Sequence, residues 1–460
     1  MSAVQRWLPI AVESATTLMA LCGLGYYAAA LLAARSYARL VRRTRAAQDH
    51  APVREKARAP HTSAVFADLC GFEDAGAPPV SVLKPLRGVD PGMVEALASH
   101  CRQDYPGEYE LVFGIHPDDT DARDAVEQLR REFPSTNITG IECPLSLGPN
   151  GKVSTLAQML PAARHNFFVI NDSDIFVGPD YLRRVMSEFS PANVGMVTAF
   201  YSGRCVADAQ GHIPVWAKLE SLTVSTEFVP GAILAMQIDG GIKFALGGTL
   251  AIRRDVLKQI GGFEGLADTL ADDYQMGVRT IAAGYRVAMA TVTVETAVPA
   301  YSFREYFTHQ LRWLRTVRDE RPWGYLGLPF TFGLLWAAAA VIASAGAAWS
   351  WPLLTMALLA RLALALSVGV GVLNDPQVLH RHMVLGMKGP NGEQLRVAGN
   401  PIKFSGESEP AYRYPPQLGV DNRAVLYGML GLSDERIDQL QRDGAFGGVE
   451  RAAAIGQAKR

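Results

Sequence analysis

An uncharged apolar stretch near the amino terminus limits what this chain can form more than any other feature. Ala15–Ala34 contains 20 residues and no charged side chain. An α-helix rises about 1.5 Å per residue, so about 20 apolar residues cross the ~30 Å hydrocarbon core of a bilayer. The stretch therefore predicts a transmembrane helix, and the rest of the chain has to fold beside a membrane.

The arginines that follow this stretch indicate its orientation; they are Arg35, Arg39, Arg42, Arg43 and Arg45. Basic residues flanking a membrane helix collect on the cytoplasmic side. A cleaved signal peptide is the alternative, but its apolar core usually has about 7–15 residues and its basic residues come first. We therefore expect a retained anchor, with everything after it in the cytoplasm.

A second apolar region, Leu326–Leu373, is divided by the sequence Trp-Ser-Trp-Pro at Trp349–Pro352. Proline suits the first turn of a new helix, and tryptophan suits a membrane interface. We expect two further transmembrane helices joined by a short outer hairpin. Arg361 falls in the middle of the second, where a charge costs about 2.5–3.5 kcal/mol on insertion scales, so its side chain should face protein or water.

The composition narrows the class of protein. The 460 residues carry a formal net charge of −1, and 19% of them are charged, below the ~25% usual in soluble domains. A net charge near zero argues against nucleic-acid binding and against intrinsic disorder. The five cysteines form no Cys-x-x-Cys pair, which favours a reducing compartment and excludes a disulfide scaffold or a zinc ribbon.

Between the two apolar regions, short apolar runs alternate with helical patterns. Strands are expected at Val80–Leu83, Leu111–Ile115, Thr136–Cys143 and Phe167–Ile170. Such alternation predicts an α/β domain with a mostly parallel sheet. The expected organisation is a transmembrane helix (1–35), a linker (36–79), a cytoplasmic α/β domain (80–325), two transmembrane helices (326–372) and a tail (373–460).

Three acidic clusters are candidates for a ligand site, because such sheets bind ligands beyond the carboxyl ends of their strands. They are Asp118-Asp119, Asn171–Asp174 and, after a glycine-rich stretch, Asp272-Asp273. Asp172 and Asp174 can direct oxygens at one cation, and Mg²⁺ or Mn²⁺ combines one or two carboxylates with phosphate oxygens of a substrate. Asp-x-Asp is also common in ordinary turns and helix caps, so both interpretations stay open on the residues alone.

The segment Tyr306–Trp313, before the second apolar region, also has two interpretations. One is an amphipathic helix at the membrane interface, with aromatic rings at headgroup depth and arginines on lipid phosphates. The other is a helix that places Arg312 and Trp313 between the site and the bilayer, where an arginine can bind a diphosphate through two hydrogen bonds.

Six motifs occur in order: VSVLKPLRGVDP from Val80, QDYPGEYELVFGIHPDD from Gln103, GKVSTLAQMLPAARHNFFVINDSDIFV from Gly151, ALGGTLAIRRDVL from Ala245, LADDYQMG from Leu270 and HQLRW from His309. Together they resemble the ceramide glucosyltransferase-like family, which includes bacterial hopanoid-biosynthesis-associated lipid glycosyltransferases. The resemblance covers about residues 10–370. It implies a GT-A nucleotide-sugar fold held to the membrane by one amino-terminal helix and several carboxyl-terminal ones.

The resemblance also implies roles for single residues. Lys84, Asp118 or Asp119, and Asp172 would bind the donor; Asp172 and Asp174 would hold Mn²⁺ or Mg²⁺; Asp273 would be the base, with Arg312 and Trp313 beside it. His309 departs from the family, which has Gln or Arg at that position. The implied reaction is an inverting transfer of glucose or N-acetylglucosamine from a UDP-sugar to a ceramide or phospholipid, at the cytoplasmic face of the inner membrane.

The tail changes character. Residues 372–447 resemble the carboxyl-terminal end of class III CoA-transferases, whose catalytic aspartate lies in an upstream segment that this chain lacks. We therefore expect no CoA-transferase activity. The alternative to an active glycosyltransferase is an inactive fusion of a truncated glycosyltransferase with a CoA-transferase fragment.

Overall fold

A computed structural model describes residues 3–50, 77–88, 90–208, 210–373, 384–388, 394–398, 422–428 and 430–443. The chain divides into two compact units, one ending at Asp375 and the other beginning at Pro376. Every residue expected to form the site belongs to the first unit.

The first helix, α1 (Ala3–His50), extends well beyond the apolar stretch. The linker expected over 36–79 is therefore wrong in its first part, because residues 36–50 continue the helix. Alanine and arginine are frequent there, and both are good helix formers. Residues 51–76 of the expected linker lie outside the described residues.

The second half of α1 packs on the α/β domain. Ala33 is buried in the main hydrophobic core, and the ring of Tyr37 meets that of Phe200 edge-on, with centroids 5.4 Å apart. The membrane anchor and the α/β domain therefore share one continuous helix.

A mixed sheet forms the centre of the α/β domain. Its strands in the described residues are β1 (Val80–Pro85), β2 (Tyr109–Ile115), β3 (Asn137–Glu142), β4 (Phe167–Ile170), β5 (Ile175–Phe176), β6 (Val194–Cys205), β7 (Leu250–Arg253) and β8 (Arg286–Val298). Their order is β3-β2-β1-β4-β7-β6-β8-β5. The pairs of β1 with β2 and β4, of β2 with β3, and of β6 with β8 are parallel. The expected α/β class with a mostly parallel sheet is confirmed.

Helices cover both faces of this sheet, which explains why its central strands are apolar throughout. They are α2 (Met93–Cys101), α3 (Thr120–Glu132), α4 (Gly151–Met159), α5 (Tyr181–Ser187), α6 (Val215–Thr223), α7 (Val229–Ile238), α8 (Arg254–Gln259) and α9 (Asp272–Ala282). Successive residues of β1 point into different cores: Val82 packs with α2, α3 and α5, and Leu83 packs with α4, α7 and α8.

After the sheet the chain continues through α10 (Phe303–Glu320) and α11 (Pro322–Gly327), followed by α12 (Gly333–Ala343) and α13 (Ser350–Leu373). In the described residues two helices can each cross a membrane by length and composition: Leu8–Thr44 within α1, and Ser350–Val368 within α13. Helix α12 has 11 residues and reaches the length of a span only together with Pro322–Thr331, at a bend of 53°.

Small residues allow α1 and α12 to pack closely. A Cβ atom on Gly23 would lie 2.1 Å from the Cα atom of Gly333, a separation no side chain tolerates. Ala20 of α1 is fully buried against Ala337 and Ala340 of α12. Such small-residue contacts are the usual way in which membrane helices associate.

Arg361 faces protein, as expected for a charge in the middle of an apolar helix. Its guanidinium donates to the Thr226 carbonyl oxygen at 2.6 Å and to the Thr226 hydroxyl at 3.0 Å, and it pairs with the Glu227 carboxylate. Both partners belong to a single π-helical turn, Val224–Phe228, between α6 and α7. The arginine therefore ties membrane helix α13 to the α/β domain.

The unit that begins at Pro376 contains an antiparallel pair, β9 (Val384–Lys388) and β10 (Gln394–Ala398), and the short helices α14 (Asn422–Gly428) and α15 (Asp434–Arg442). Most of the tail that resembles CoA-transferases lies outside the described residues. That resemblance stays a prediction.

Candidate active site

The carboxyl ends of β1, β2 and β4 meet at one edge of the sheet because these strands are parallel. Strand β7 runs antiparallel to β4, so Gly248, just before β7, reaches the same edge. Asn171, directly after β4, is fully buried and donates to the Gly248 carbonyl at 2.8 Å and to the Tyr181 hydroxyl at 2.9 Å. This amide fixes the loop that carries the second acidic cluster.

A buried lysine supports that loop from behind. Lys84 of β1 has no exposed surface, and its Nζ donates to the Asp172 carbonyl oxygen at 3.0 Å. Burial lowers the pKa of Lys84 to about 7, although the nearby carboxylates of Asp172 and Asp174 raise it. In this structure Lys84 therefore lies behind the loop that carries Asp172, and its expected role in donor binding stays a prediction.

The two carboxylates of the Asp-x-Asp motif point in different directions. The Asp172 side chain is 46% exposed at the edge of the sheet. The Asp174 carboxylate instead accepts a hydrogen bond of 2.6 Å from the hydroxyl of Thr296 on β8. Burial, reinforced by the charge of Asp172, raises the pKa of Asp174. In this conformation Asp172 presents its carboxylate to a ligand, whereas Asp174 anchors the loop to β8.

Lys152, in the first turn of α4, joins the second acidic cluster to the third. Its Nζ lies 2.8 Å from Asp172 Oδ1 and 3.4 Å from Asp272 Oδ2. Burial favours the neutral amine, but the two carboxylates outweigh it and raise the pKa of Lys152. Asn150, which caps α4, donates to the other oxygen of Asp272 at 3.3 Å. The amino terminus of α4 therefore holds Asp272 in place.

In the described residues, Asp273 accepts a hydrogen bond from its own backbone turn, whereas its neighbour Asp272 is held by the side chains of Asn150 and Lys152. Asp273 Oδ1 accepts from the Tyr274 N–H at 2.8 Å, and Asp273 Oδ2 would lie 3.0 Å from a Cβ atom at Gly247. The absence of a side chain at Gly247 therefore leaves space beside this carboxylate. Burial, with a contribution from the Asp272 charge, raises the pKa of Asp273 to about 6. A carboxylate with this pKa and free space beside it suits general-base chemistry.

Two residues that the sequence analysis missed complete this region. Burial and the Asp273 and Glu220 carboxylates raise the pKa of Tyr201, on β6, well above its usual value. The charges of Asp172 and Asp174 also raise the pKa of this hydroxyl. Neither Glu220 nor Tyr201 belongs to a recognisable motif. Glu220 lies within a helix and Tyr201 within a strand, and only the fold brings them to the site.

The first acidic cluster lies at the same edge of the sheet, after β2. Asp119 caps α3 through an N–H···O bond of 3.1 Å from Ala122, and its other oxygen accepts from the Gly88 N–H at 2.5 Å. The carboxylate therefore connects the loops after β1 and β2. The Asp118 side chain is 93% exposed. Neither position excludes contact with a nucleotide, since each carboxylate oxygen has a further lone pair.

Helix α10 carries the last motif and lies beside this region. Trp313 packs on Phe228 at 5.3 Å between ring centroids, and Phe228 in turn packs on Tyr201 at 5.2 Å. His309, which departs from the family pattern, has its Nδ1 3.0 Å from the buried Glu220 carboxylate. The Arg312 guanidinium lowers the pKa of Tyr301, which burial and Glu220 raise, so its charge also acts near the site.

The donor atoms present fit a divalent cation that also binds a substrate diphosphate. No group of three or more His, Cys, Asp or Glu side chains in the described residues could hold a metal by itself. The Asp272 Oδ2 atom is nevertheless buried without a hydrogen-bond partner, and it shares the Lys152 ammonium with Asp172. Mg²⁺ and Mn²⁺ typically take one or two carboxylates and complete their coordination with phosphate oxygens and water.

Known proteins share sequence similarity with this chain. The model of glycosyl transferase family 21 matches residues 16–388. Ceramide glucosyltransferase 1 of Caenorhabditis elegans is 25% identical over 247 residues, which cover 53% of this chain and 50% of that protein. An N-acetylglucosaminyltransferase of Rhizobium meliloti is 25% identical over 273 residues, covering 56% of this chain and 59% of that protein.

The chain thus spans between a half and three fifths of the length of these curated relatives. Among solved structures, a mannosyltransferase from Pyrobaculum calidifontis in complex with GDP-Man and Mn²⁺ is 19% identical, with a TM-score of 0.41, and covers 78% of this chain and 99% of that chain.

Proposed function

The chain belongs to glycosyl transferase family 21, and we propose that it transfers a sugar from a nucleotide-sugar to a lipid at the membrane surface. Membership confirms the resemblance stated for the motifs and, with the observed sheet, the GT-A fold class. The more specific form of the proposal is an inverting transfer of glucose or N-acetylglucosamine from a UDP-sugar to a ceramide or phospholipid. The comparisons give no support to the inactive fusion.

One observation carries the proposal. Two carboxylates, Asp172 and Asp272, share the ammonium of Lys152, and the Asp273 carboxylate lies next to them with a hydrogen bond from its own backbone turn. The pair suits the diphosphate side of a donor, and Asp273 suits the acceptor side. The amino termini of α4 and α9 meet at the same place through Asn150 and Asp272, and helix amino termini favour bound phosphate.

The mechanism follows from this division of roles. Asp273 accepts the proton of an acceptor hydroxyl while that oxygen bonds to the anomeric carbon of the sugar, and the bond from that carbon to the diphosphate oxygen breaks. One displacement inverts the anomeric configuration. A divalent cation held by Asp172 and Asp272 would neutralise the charge on the departing diphosphate. Arg312 and Trp313 lie on α10, the helix that precedes α12 and α13 in the chain.

The location of the candidate site beside the membrane supports a lipid as the acceptor substrate. Helix α1 connects the membrane directly to the core of the α/β domain, and Arg361 ties α13 to the turn before α7. A lipid hydroxyl can therefore reach the site without its chains leaving the bilayer. The arginines after the apolar stretch support a site on the cytoplasmic side of the inner membrane.

The test is transfer by the purified full chain in detergent or nanodiscs, with Mn²⁺ or Mg²⁺, radiolabelled UDP-glucose or UDP-N-acetylglucosamine, and added ceramide or phospholipid. Label in the lipid phase, with a product mass increased by one hexose or one N-acetylhexosamine, supports the proposal and identifies both substrates. No labelled lipid with any combination, while an active full-length relative works in the same assay, contradicts it.

The pH dependence of transfer is a separate prediction. Because the pKa of Asp273 is raised to about 6, kcat/KM should fall below that pH and reach about a tenth of its plateau at pH 5. The raised pKa means that the folded state binds more protons than the unfolded state between about pH 4 and 6, so Asp273 itself does not destabilise the fold as the pH falls. Rate profiles and thermal melting over the same pH range check this. A rate unchanged down to pH 4.5 would contradict it.

A further inference from the structure

Lys152 occupies the position where a divalent cation would bind. Its Nζ lies 2.8 Å from Asp172 and 3.4 Å from Asp272, two carboxylates separated by 100 residues in the sequence. Of the two oxygens it contacts, the one on Asp172 belongs to a half-exposed side chain, and Asp272 Oδ2 is buried and accepts no hydrogen bond in the described residues. Without a ligand, the Lys152 ammonium is therefore the positive charge between these two carboxylates.

The carboxylates need such a cation when no ligand is bound. Asp172, Asp272 and Asp273 lie close enough for each charge to act on the others, and Asp272 and Asp273 are largely buried. Repulsion between buried like charges would otherwise open this edge of the sheet or protonate one of the groups. Lys152 neutralises part of that charge, and Asn150 fixes the remaining oxygen of Asp272.

We propose that Lys152 is a positioning residue that competes with the divalent cation for Asp172 and Asp272, so that the cation binds well only together with a nucleoside diphosphate. This inference rests on the proposed nucleotide-sugar transfer. A bound diphosphate supplies oxygens both to the cation and to the displaced ammonium. The flexible stem of a lysine allows its ammonium to move between these partners, as the planar fork of an arginine does less readily.

Binding of Mn²⁺ alone, followed by electron paramagnetic resonance on the full chain in detergent, tests the inference. Lys152→Met should bind Mn²⁺ at least tenfold more tightly than the unsubstituted chain, since the variant keeps the carboxylates and lacks their counter-ion. Its affinity for UDP in the presence of Mn²⁺ should fall. Lys152→Arg should keep weak binding of Mn²⁺ alone. Lys258→Met, on the exposed side of α8, is the matched control and should change neither affinity.

Mn²⁺ affinity that is unchanged or weaker in Lys152→Met would overturn the inference. If that variant does not fold, Lys152→Gln removes the charge and keeps a hydrogen-bond donor for both carboxylates. The unsubstituted chain provides a measurement that needs no variant: Mn²⁺ should bind at least tenfold more tightly with UDP present than without it. Tight binding of Mn²⁺ without nucleotide overturns the inference.

Failure of this inference and failure of the proposed function give different results. The Mn²⁺ measurements use no sugar donor and no lipid. A chain that transfers sugar but shows no competition by Lys152 keeps the function and loses the inference. A chain that shows the competition but transfers no sugar keeps the inference about the cation and loses the function.

Discussion

Asp273→Asn should lower the turnover number by about 10³-fold, within the 10²–10⁴-fold range attributed to general-base catalysis. The amide has nearly the shape of the carboxylate but cannot accept the acceptor's proton. Affinity for UDP should stay within about twofold, because the variant removes an interaction that matters only while the hydroxyl is deprotonated. Steady-state transfer rates and calorimetric titration with UDP measure the two quantities separately.

The same substitution at the neighbouring Asp272 should have a different effect on ligand binding. Asp272→Asn removes the charge that Lys152 and Asn150 hold in place, so we expect it to weaken UDP and Mn²⁺ binding as well as turnover. Asp124→Asn, on the exposed side of α3, is the control for the same substitution at a distant site. It should match the unsubstituted chain in turnover and in its binding of UDP and Mn²⁺. Loss of UDP binding in Asp273→Asn would reassign Asp273 to the nucleotide site, and full activity would remove it from the mechanism.

Arg361→Leu should destabilise the folded chain by about 1–2 kcal/mol, because it removes hydrogen bonds to a charged group and leaves the partly exposed Glu227 carboxylate without its partner. Arg361 has three contacts on one turn, the carbonyl and hydroxyl of Thr226 and the carboxylate of Glu227. Without the arginine, the Glu227 carboxylate has no counter-ion where the turn meets α13. Thermal melting in one detergent, followed by near-ultraviolet circular dichroism, measures the effect.

A double variant separates lost charge balance from lost packing. Arg361→Leu combined with Glu227→Leu removes both charges of this partly buried ion pair, and replacing an ion pair by apolar residues is often neutral or stabilising where the pair is shielded from water. We therefore expect the double variant to recover most of the stability that the single variant loses. If the single variant is as stable as the unsubstituted chain, the contact does not hold α13 to the domain.

Local patterns explain why much of the fold could be predicted. Strands buried on both faces are continuous apolar runs, as at Phe167–Ile170, and an apolar stretch such as Ala15–Ala34 is long enough to recognise without knowing its surroundings. The same reasoning placed the acidic clusters at the ends of strands. It misjudged residues 36–50, where helix formers continue α1 instead of forming a linker.

The contacts that turn these clusters into a site join distant parts of the chain. Nothing near Lys152 in the sequence indicates that it lies between Asp172 and Asp272, and nothing near Glu220 indicates that its carboxylate lies 3.0 Å from His309 Nδ1. Asp272 and Asp273 are adjacent and chemically identical, so only their different surroundings separate a carboxylate held by neighbouring side chains from one that accepts a hydrogen bond from its own backbone turn.

The sequence by itself therefore determined the candidate membrane helix, the α/β class, the family and the residue types from which a site could be built. Only the tertiary structure decided which aspartate is held by neighbouring side chains, which lysine neutralises the carboxylates, and which residues Arg361 contacts. Hydrophobic periodicity acts over a few residues and can be read along the chain. Charge compensation depends on distances of a few ångströms between groups up to 135 residues apart, and those distances exist only once the chain has folded.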